Sequence, residues 1–111
     1  MSEFIIIKTT YPSLTTAKKL VKFLLQEKLI ACAQFQKIQS CYLWEEKITN
    51  DSEILLNLKT EKKLYSKIET IILQNHPYKI PQIICLKIAN GSKDYFDWID
   101  KNLVKTNKKL A

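Results

Sequence analysis

The sequence predicts an α+β protein with the ferredoxin-like element order βαββαβ, a long hairpin between the second and third strands, and an additional C-terminal helix. The first observation is the stretch 40–60, whose period-two alternation of apolar and aromatic residues predicts two long strands that reverse near Glu45 and Glu46. The second is a pair of apolar stripes with helical spacing, one on either side of this hairpin.

The N-terminal part predicts a strand, a helix and a second strand. Phe4–Lys8 is a β-branched apolar run, typical of a strand that is buried on both faces and therefore central in its sheet. Ser13, which follows Pro12, is a predicted helix N-cap. The second strand is expected to begin at Leu29 and to continue to Trp44. The helix between them is expected to end near residues 27–28, and its stripe comprises Ala17, Leu20, Val21, Leu24 and Leu25.

The C-terminal part predicts two further helices around a fourth strand. The three turn-favouring residues 50–52 indicate a bulge or bend in the second arm of the hairpin. Thr60 is a candidate N-cap for the second helix, and Asn75 suits a left-handed position at its end. Strand four is predicted at 82–88, and Ser92 is expected to cap the last helix. The apolar stripe of the second helix comprises Leu64, Tyr65, Ile68, Ile71 and Ile72. The inward residues of the last helix are expected to be Tyr95, Phe96 and Ile99.

Length and composition indicate one globular domain over residues 1–111. A chain of 111 residues with 46% hydrophobic content needs no disulfide or metal to support its core. We find no signal-peptide pattern and no apolar run of the ~20 residues that a membrane helix requires, so a cytoplasmic protein without a membrane partner is expected. Three cysteines without a signal favour free thiols. Residues 104–111 are rich in Lys and Asn, which predicts a frayed tail.

The charge distribution argues against a nucleic-acid partner. The net charge is +7, yet all eighteen basic residues are lysines and none is arginine, the side chain preferred for bidentate recognition of phosphate and guanine. The lysines are mostly scattered along the chain. They therefore favour a solvated surface over a nucleic-acid-binding face.

The residue inventory also argues against an enzyme. A single His makes a catalytic triad or a His-rich zinc site within one chain improbable, and the three cysteines lack CxxC spacing. Gly91 is the only glycine, which excludes a glycine-rich phosphate loop. We expect no self-contained active site and no enzymatic activity.

Short motifs in the hairpin and after the second helix carry a family resemblance. They are Tyr42 and Trp44, Lys59 and Thr60, His76-Pro77-Tyr78, and Pro81. In this order and spacing, the chain resembles the CutA family of divalent-cation tolerance proteins over essentially residues 4–100. The resemblance implies a ferredoxin-like protomer in a tight homotrimer, in which the long hairpins pair between subunits as in the PII signalling proteins.

The chain departs from the family pattern at several positions. Glu46 stands in the hairpin turn where the family usually has Gly, so the turn must adopt another conformation or accept strain. Gln82 replaces a usual Glu. Some bacterial relatives are thought to bind copper through a Cys and a His-His pair, but Thr9 and Asn75 occupy two of those three places and only His76 remains. The resemblance therefore implies weak binding of Cu²⁺ or another divalent cation, with no required cofactor.

Two sets of candidate site residues follow, and each has a structural alternative. The metal candidates are His76 and Cys32; the alternatives are an imidazole that packs at the end of the second helix and an inert buried thiol. The ligand-cleft candidates are Trp44, Lys59, Tyr78, Gln82 and Trp98. Trp44 suits either inter-subunit packing or a pocket wall, and Lys59 either a pocket floor or an ordinary surface position.

The function implied by the resemblance is that of a small non-enzymatic homotrimer associated with divalent metal tolerance, with weak copper binding through His76. Two alternatives stay open from the residues. One is a PII-like module that binds a small anionic ligand in inter-subunit clefts through Lys59 and its neighbours. The other is a trimeric scaffold for protein interactions.

Overall fold

The computed structural model describes residues 3–105, which form one antiparallel sheet and three helices. The elements are β1 (Phe4–Tyr11), α1 (Leu14–Gln26), β2 (Cys32–Trp44), β3 (Lys47–Glu61), a 3-10 turn (Lys62–Leu64), α2 (Tyr65–Asn75), β4 (Ile83–Lys87) and α3 (Lys93–Lys101). The strand order is β2-β3-β1-β4. This order confirms the predicted ferredoxin-like fold with its additional C-terminal helix.

Strand β1 lies inside the sheet, as predicted, but only one of its faces is fully buried. Ile5 and Ile7 are buried, whereas Phe4, Ile6 and Lys8 are half-buried. The expectation of a strand buried on both faces was therefore wrong. The buried face joins the inward residues of β3, α1 and α2 in one hydrophobic core, while the opposite face is covered only in part.

Helix α1 begins as the sequence predicted. The Ser13 hydroxyl accepts a hydrogen bond from the Thr16 amide at 3.2 Å, which caps the first turn. Four of the five stripe residues are buried, but Leu25 is 42% exposed and lies outside the core. The assignment of Leu25 to the buried stripe was wrong.

The connection from α1 to β2 corrects the predicted start of the second strand. Lys28 adopts a left-handed conformation with φ 57°, and the Leu29 amide donates back to the Leu24 carbonyl at 2.9 Å. This reversal directs Leu29 and Ile30 into the core, where both are 1% exposed. The strand therefore begins at Cys32, three residues later than predicted.

The hairpin of β2 and β3 is regular along its whole length. Its arms have 13 and 15 residues and pair without interruption, with Ser40 opposite Asp51 and Gln39 opposite Ser52. The bulge predicted at residues 50–52 was therefore wrong. Cross-strand bonds such as the one from Gln39 Nε2 to Ser52 Oγ, at 2.8 Å, satisfy these polar side chains within the ladder.

The boundaries of α2 also differ from the prediction. Thr60 is not an N-cap: it lies in β3, is fully buried, and donates its hydroxyl to the Leu29 carbonyl at 2.6 Å. Pairing with β1 continues as far as Glu61, so α2 starts only after the 3-10 turn, without a side-chain cap. Asn75 is the last residue of α2, and the following His76 is extended, so the left-handed position predicted for Asn75 was wrong as well.

The C-terminal segment packs against one end of the sheet. Ser92 accepts from the Tyr95 amide at 3.4 Å, which confirms the cap, and Phe96 stacks on Phe4 with ring centroids 4.6 Å apart. Ile99 is fully buried, but Tyr95 is 37% exposed, so its inward assignment was wrong.

The first two residues of the predicted tail, Val104 and Lys105, are hydrogen-bonded to the rest of the chain. The Val104 amide donates to the Lys28 carbonyl at 2.8 Å, and the Lys105 ammonium donates to the Asp100 carbonyl at 3.0 Å. The frayed tail stays a prediction, and its residues 106–111 lie outside the described residues.

Candidate functional site

A cavity of about 710 Å³ opens beside the distal half of the hairpin. Its walls come from β2, β3, the end of β1 and the loop between α2 and β4. The lining residues are Thr10, Ser40, Cys41, Tyr42, Trp44, Asp51, Glu53, Pro77, Tyr78, Lys79, Ile80 and Gln82. Such a volume is typical of small-molecule sites, which span ~300–1,000 Å³.

His76 fastens the α2–β4 loop to the end of β1. Its Nδ1 accepts a hydrogen bond from the Tyr78 amide at 3.1 Å, so Nε2 carries the proton and donates to the Thr10 carbonyl at 2.7 Å. The ring also lies against Tyr11, at 4.2 Å between centroids, and against Tyr78, at 4.9 Å. Pro77 fixes the backbone between these contacts, and the loop is held as one wall of the cavity.

The same hydrogen bonds leave neither ring nitrogen of His76 free to bind a metal ion. Burial lowers the pKa of His76, although its bond to Thr10 and the charge of Glu53 act in the opposite direction. The neutral ring is the form that binds metals, but both of its nitrogens are already hydrogen-bonded. Ligation would require the loss of one bond that holds the loop.

The two metal candidates are not brought together. Cys32 is paired with Lys59, whereas the His76 anchor Thr10 lies opposite Leu55, four residues away along β3. Between residues 3 and 105, no three His, Cys, Asp or Glu side chains cluster closely enough to hold a metal ion.

Two carboxylates inside the cavity were not singled out as site residues from the sequence. The Tyr78 hydroxyl donates to Glu53 Oε2 at 3.0 Å, and the Tyr42 hydroxyl donates to Asp51 Oδ2. Burial, followed by the bond to Glu53, raises the pKa of Tyr78; the bond to Asp51 raises that of Tyr42. Asp51 had been interpreted only as a turn residue, although its two-residue spacing from Glu53 places both on one face of a strand.

Three of the five predicted cleft residues line the hairpin cavity. Trp44, Tyr78 and Gln82 line it. Lys59 and Trp98 do not: the Lys59 ammonium bonds the Tyr95 hydroxyl at 3.0 Å, and Tyr95 stacks on Trp98 with centroids 5.8 Å apart. They form a separate cluster where α3 meets β3.

Comparison with known proteins identifies the family. Residues 5–102 match the family model described as CutA1 divalent ion tolerance protein. The chain belongs to this family. The finding confirms the resemblance carried by the hairpin and loop motifs.

Individual relatives are similar to this chain in sequence and structure over most of its length. The divalent-cation tolerance protein CutA of Pyrococcus horikoshii is 40% identical over 86% of this chain and 93% of its own length. The crystal structure of CutA1 from the same organism superposes with a TM-score of 0.87, at 38% identity over 91% of this chain and 99% of that one. A structure from Archaeoglobus fulgidus gives a TM-score of 0.85, at 34% identity over 92% and 98% of the two chains.

The compartment stays a prediction. Among residues 3–105 no helix is long and apolar enough to cross a membrane. The Archaeoglobus fulgidus relative is described as a periplasmic divalent cation tolerance protein, so relatives of this fold are not restricted to the cytoplasm.

Proposed function

We propose that this CutA1-family chain is a non-enzymatic homotrimer that binds divalent cations weakly at the hairpin cavity, through Asp51 and Glu53. The observation that carries the proposal is the pair of carboxylates in an open cavity, each already oriented by a tyrosine hydroxyl. Carboxylate oxygens are general ligands for divalent cations, and Cu²⁺ binds most such oxygen and nitrogen sites more strongly than other first-row metals.

The shape of the protomer supports the trimer. Pairing with β1 covers β3 only from Ile54 to Glu61, so the distal part of the hairpin is a two-stranded ribbon. An isolated ribbon of this kind is marginally stable and has unpaired edges. Its tip also carries Leu43 at 71% and Ile48 at 75% exposure. Pairing of each hairpin with a neighbouring copy would cover these edges and apolar side chains.

The ligand set explains why we expect weak binding. One protomer supplies two carboxylates, and a tight divalent site normally requires more ligands in fixed geometry. Water or a neighbouring copy would complete the coordination. Because both nitrogens of His76 hold the loop, we place the cation on the carboxylates and not on the imidazole, which revises the metal site expected from the sequence.

Isothermal titration with Cu²⁺ at pH 7 and pH 5.5 tests this assignment. The double variant Asp51→Asn, Glu53→Gln should weaken binding at least about tenfold, which is the scale of one lost charge-assisted contact. The control is Glu45→Gln, Glu46→Gln, which removes the same charge from the hairpin turn. Carboxylate ligands generally remain ionised at pH 5.5. Because burial lowers the pKa of His76, the His76→Ala variant, and not the pH change alone, shows whether the imidazole binds the cation.

The outcomes separate the two sites. Binding that persists at pH 5.5 and disappears only in the cavity variant supports the carboxylates. Binding that disappears in His76→Ala, while the cavity variant is unaffected, would refute the carboxylate site.

A second candidate function is supported by the cavity itself. A volume of about 710 Å³ with Tyr42, Trp44 and Tyr78 on its walls greatly exceeds the space that a single ion needs. These features favour a PII-like small-ligand module. A thermal-shift screen of metabolites would identify such a ligand because binding to the folded state raises the melting temperature by mass action.

A further inference from the structure

A second cavity, of about 410 Å³, lies between α1 and α2 on the side of the sheet that the helices cover. It meets the hairpin cavity only through Pro77, which borders both. Neither the metal proposal nor the family comparison assigns it a role. Its lining includes Tyr11, Lys19, Leu20, Phe23, Ile71 and Pro77.

The walls of this helix-side cavity are mainly apolar. Leu20 and Phe23 come from α1, Ile71 from α2, and Pro77 closes one end. Phe23 is 46% exposed, so the ring leaves apolar surface in water at the mouth of the cavity. A hydrocarbon group placed there would remove part of this apolar surface from water, which favours binding.

The only charge in the lining is positive. Lys19 lines the cavity and no acidic residue does. Within residues 3–105, Lys19 has no ion pair. The ammonium is therefore available to an anionic ligand.

The floor of the cavity contains a polar group without a partner. Tyr11 is 2% exposed, and its hydroxyl is buried with no hydrogen-bond partner among the described residues. Burial raises the pKa of Tyr11 to about 12, so the group is a neutral donor and acceptor at physiological pH. The hydroxyl lies below the surface, and contact with a ligand requires a small displacement of the covering side chains. Phe23, which is partly exposed, is one of the side chains that line the same cavity.

We propose that the helix-side cavity binds a small amphipathic carboxylate, a fatty-acid-like anion. Its hydrocarbon chain packs against Leu20, Phe23 and Ile71. Its carboxylate accepts from the Lys19 ammonium and from the Tyr11 hydroxyl, which gains the partner that it lacks. A charged end and an apolar body are both needed to match this lining.

Titration of the full chain with octanoate tests the proposal, with 1-octanol and acetate as ligand controls. We expect saturable octanoate binding with a dissociation constant of about 1 mM or below, and binding at least about tenfold weaker for the octanol and acetate controls. Lys19→Gln should weaken octanoate binding about tenfold, because it removes a charge-assisted contact. Lys18→Gln removes the same charge one residue away, outside the cavity, and should change binding by less than about twofold.

A second pair of variants and a spectroscopic measurement locate the ligand. Tyr11→Phe should weaken octanoate binding by about threefold to tenfold, whereas Tyr78→Phe, in the hairpin cavity, should not. In the wild-type protein, nuclear Overhauser contacts should join octanoate methylenes to the Phe23 ring and the Ile71 methyl groups.

Four results would overturn the proposal: no saturable binding, equal affinity for octanol and octanoate, equal effects of the two lysine variants, or contacts to Trp44 in place of Phe23. The last would move the ligand to the hairpin cavity. The wild-type contacts decide the question even if a variant fails to fold.

Discussion

Replacement of Glu46 by glycine should stabilise the protein. The hairpin turn places Glu45 and Glu46 at φ 50° and 67°, both in the left-handed region. Two positive φ values in a two-residue connection are the geometry of the type I′ turn, which favours Asn or Gly and disfavours a side chain with Cβ. The chain therefore accepts backbone strain where its relatives were expected to have glycine.

The expected gain in stability is the difference between two opposing backbone effects at Glu46. A non-glycine residue in the left-handed region costs roughly 1–2 kcal/mol. Glycine offsets about 0.5–1 kcal/mol of this gain in stability, because it loses more backbone entropy on folding than other residues. The net increase in the free energy of unfolding is therefore about 0.5–1 kcal/mol per chain, which corresponds to a rise of a few degrees, roughly 4 °C, in melting temperature.

Thermal denaturation at fixed protein concentration measures this effect. Glu46→Gln keeps the Cβ and removes the charge, so it should gain much less than Glu46→Gly. Lys28, at φ 57° after α1, is a second position of the same kind, and Lys28→Gly should also stabilise. A melting temperature that falls in Glu46→Gly, or rises equally in Glu46→Gln, would refute the strain argument.

Three further predictions concern the assembly, a buried hydroxyl and the single histidine. Light scattering coupled to size exclusion should give about three protomer masses, and a monomer at micromolar concentration would contradict the hairpin-mediated trimer. Trp44→Ala should lower the melting temperature more than Trp98→Ala, and a larger effect of Trp98→Ala would contradict it as well. Tyr11→Phe removes a buried hydroxyl that has no partner within the described range 3–105, and it should raise the free energy of unfolding by about 1 kcal/mol. Tyr78→Phe breaks the bond to Glu53 and should lower the free energy of unfolding by a similar amount. Changes of the same sign in denaturant unfolding would show that the environment of one hydroxyl is misassigned. Burial lowers the folded-state pKa of His76 below its unfolded value near 6.5, so the unfolded chain binds more protons. The stability that His76 contributes above pH 6.5 is therefore lost as the pH falls towards the folded pKa. Between pH 7 and pH 5.5, the free energy of unfolding should fall less in His76→Gln than in the wild type, and an equal fall would exclude this linkage.

The sequence was informative wherever one local pattern decides the structure. The caps at Ser13 and Ser92 were predicted because a serine hydroxyl satisfies the first free amides of a helix wherever the chain leaves an extended segment. Thr60 carried the same signal, yet it lies in a strand, because pairing of β3 with β1 extends past it. Residues 50–52 likewise favour turns in isolation, but a continuous ladder with β2 holds them in an extended strand.

The candidate site was predictable only in part. Trp44, Tyr78 and Gln82 carry large or polar side chains in recognisable motifs, and all three line the hairpin cavity. Lys59 fits the same motif pattern but lies beside Tyr95 instead. The proposed cation site consists of Asp51 and Glu53, and their contacts with Tyr42 and Tyr78 are not visible in sequence spacing.

By itself, the sequence determined the order of the elements, the family, and the presence of a hairpin too long for one small sheet, because these depend on local periodicity and short motifs. Only the tertiary structure decided that both nitrogens of His76 hold a loop, that Asp51 and Glu53 enter a cavity, and that the Tyr11 hydroxyl has no partner among residues 3–105. The physical reason is that these properties belong to pairs of side chains far apart along the chain. Thr10 and His76 are separated by 66 positions, and Glu53 and Tyr78 by 25. Only the packing of the α2–β4 loop against β1 and β3 brings each pair within hydrogen-bonding distance.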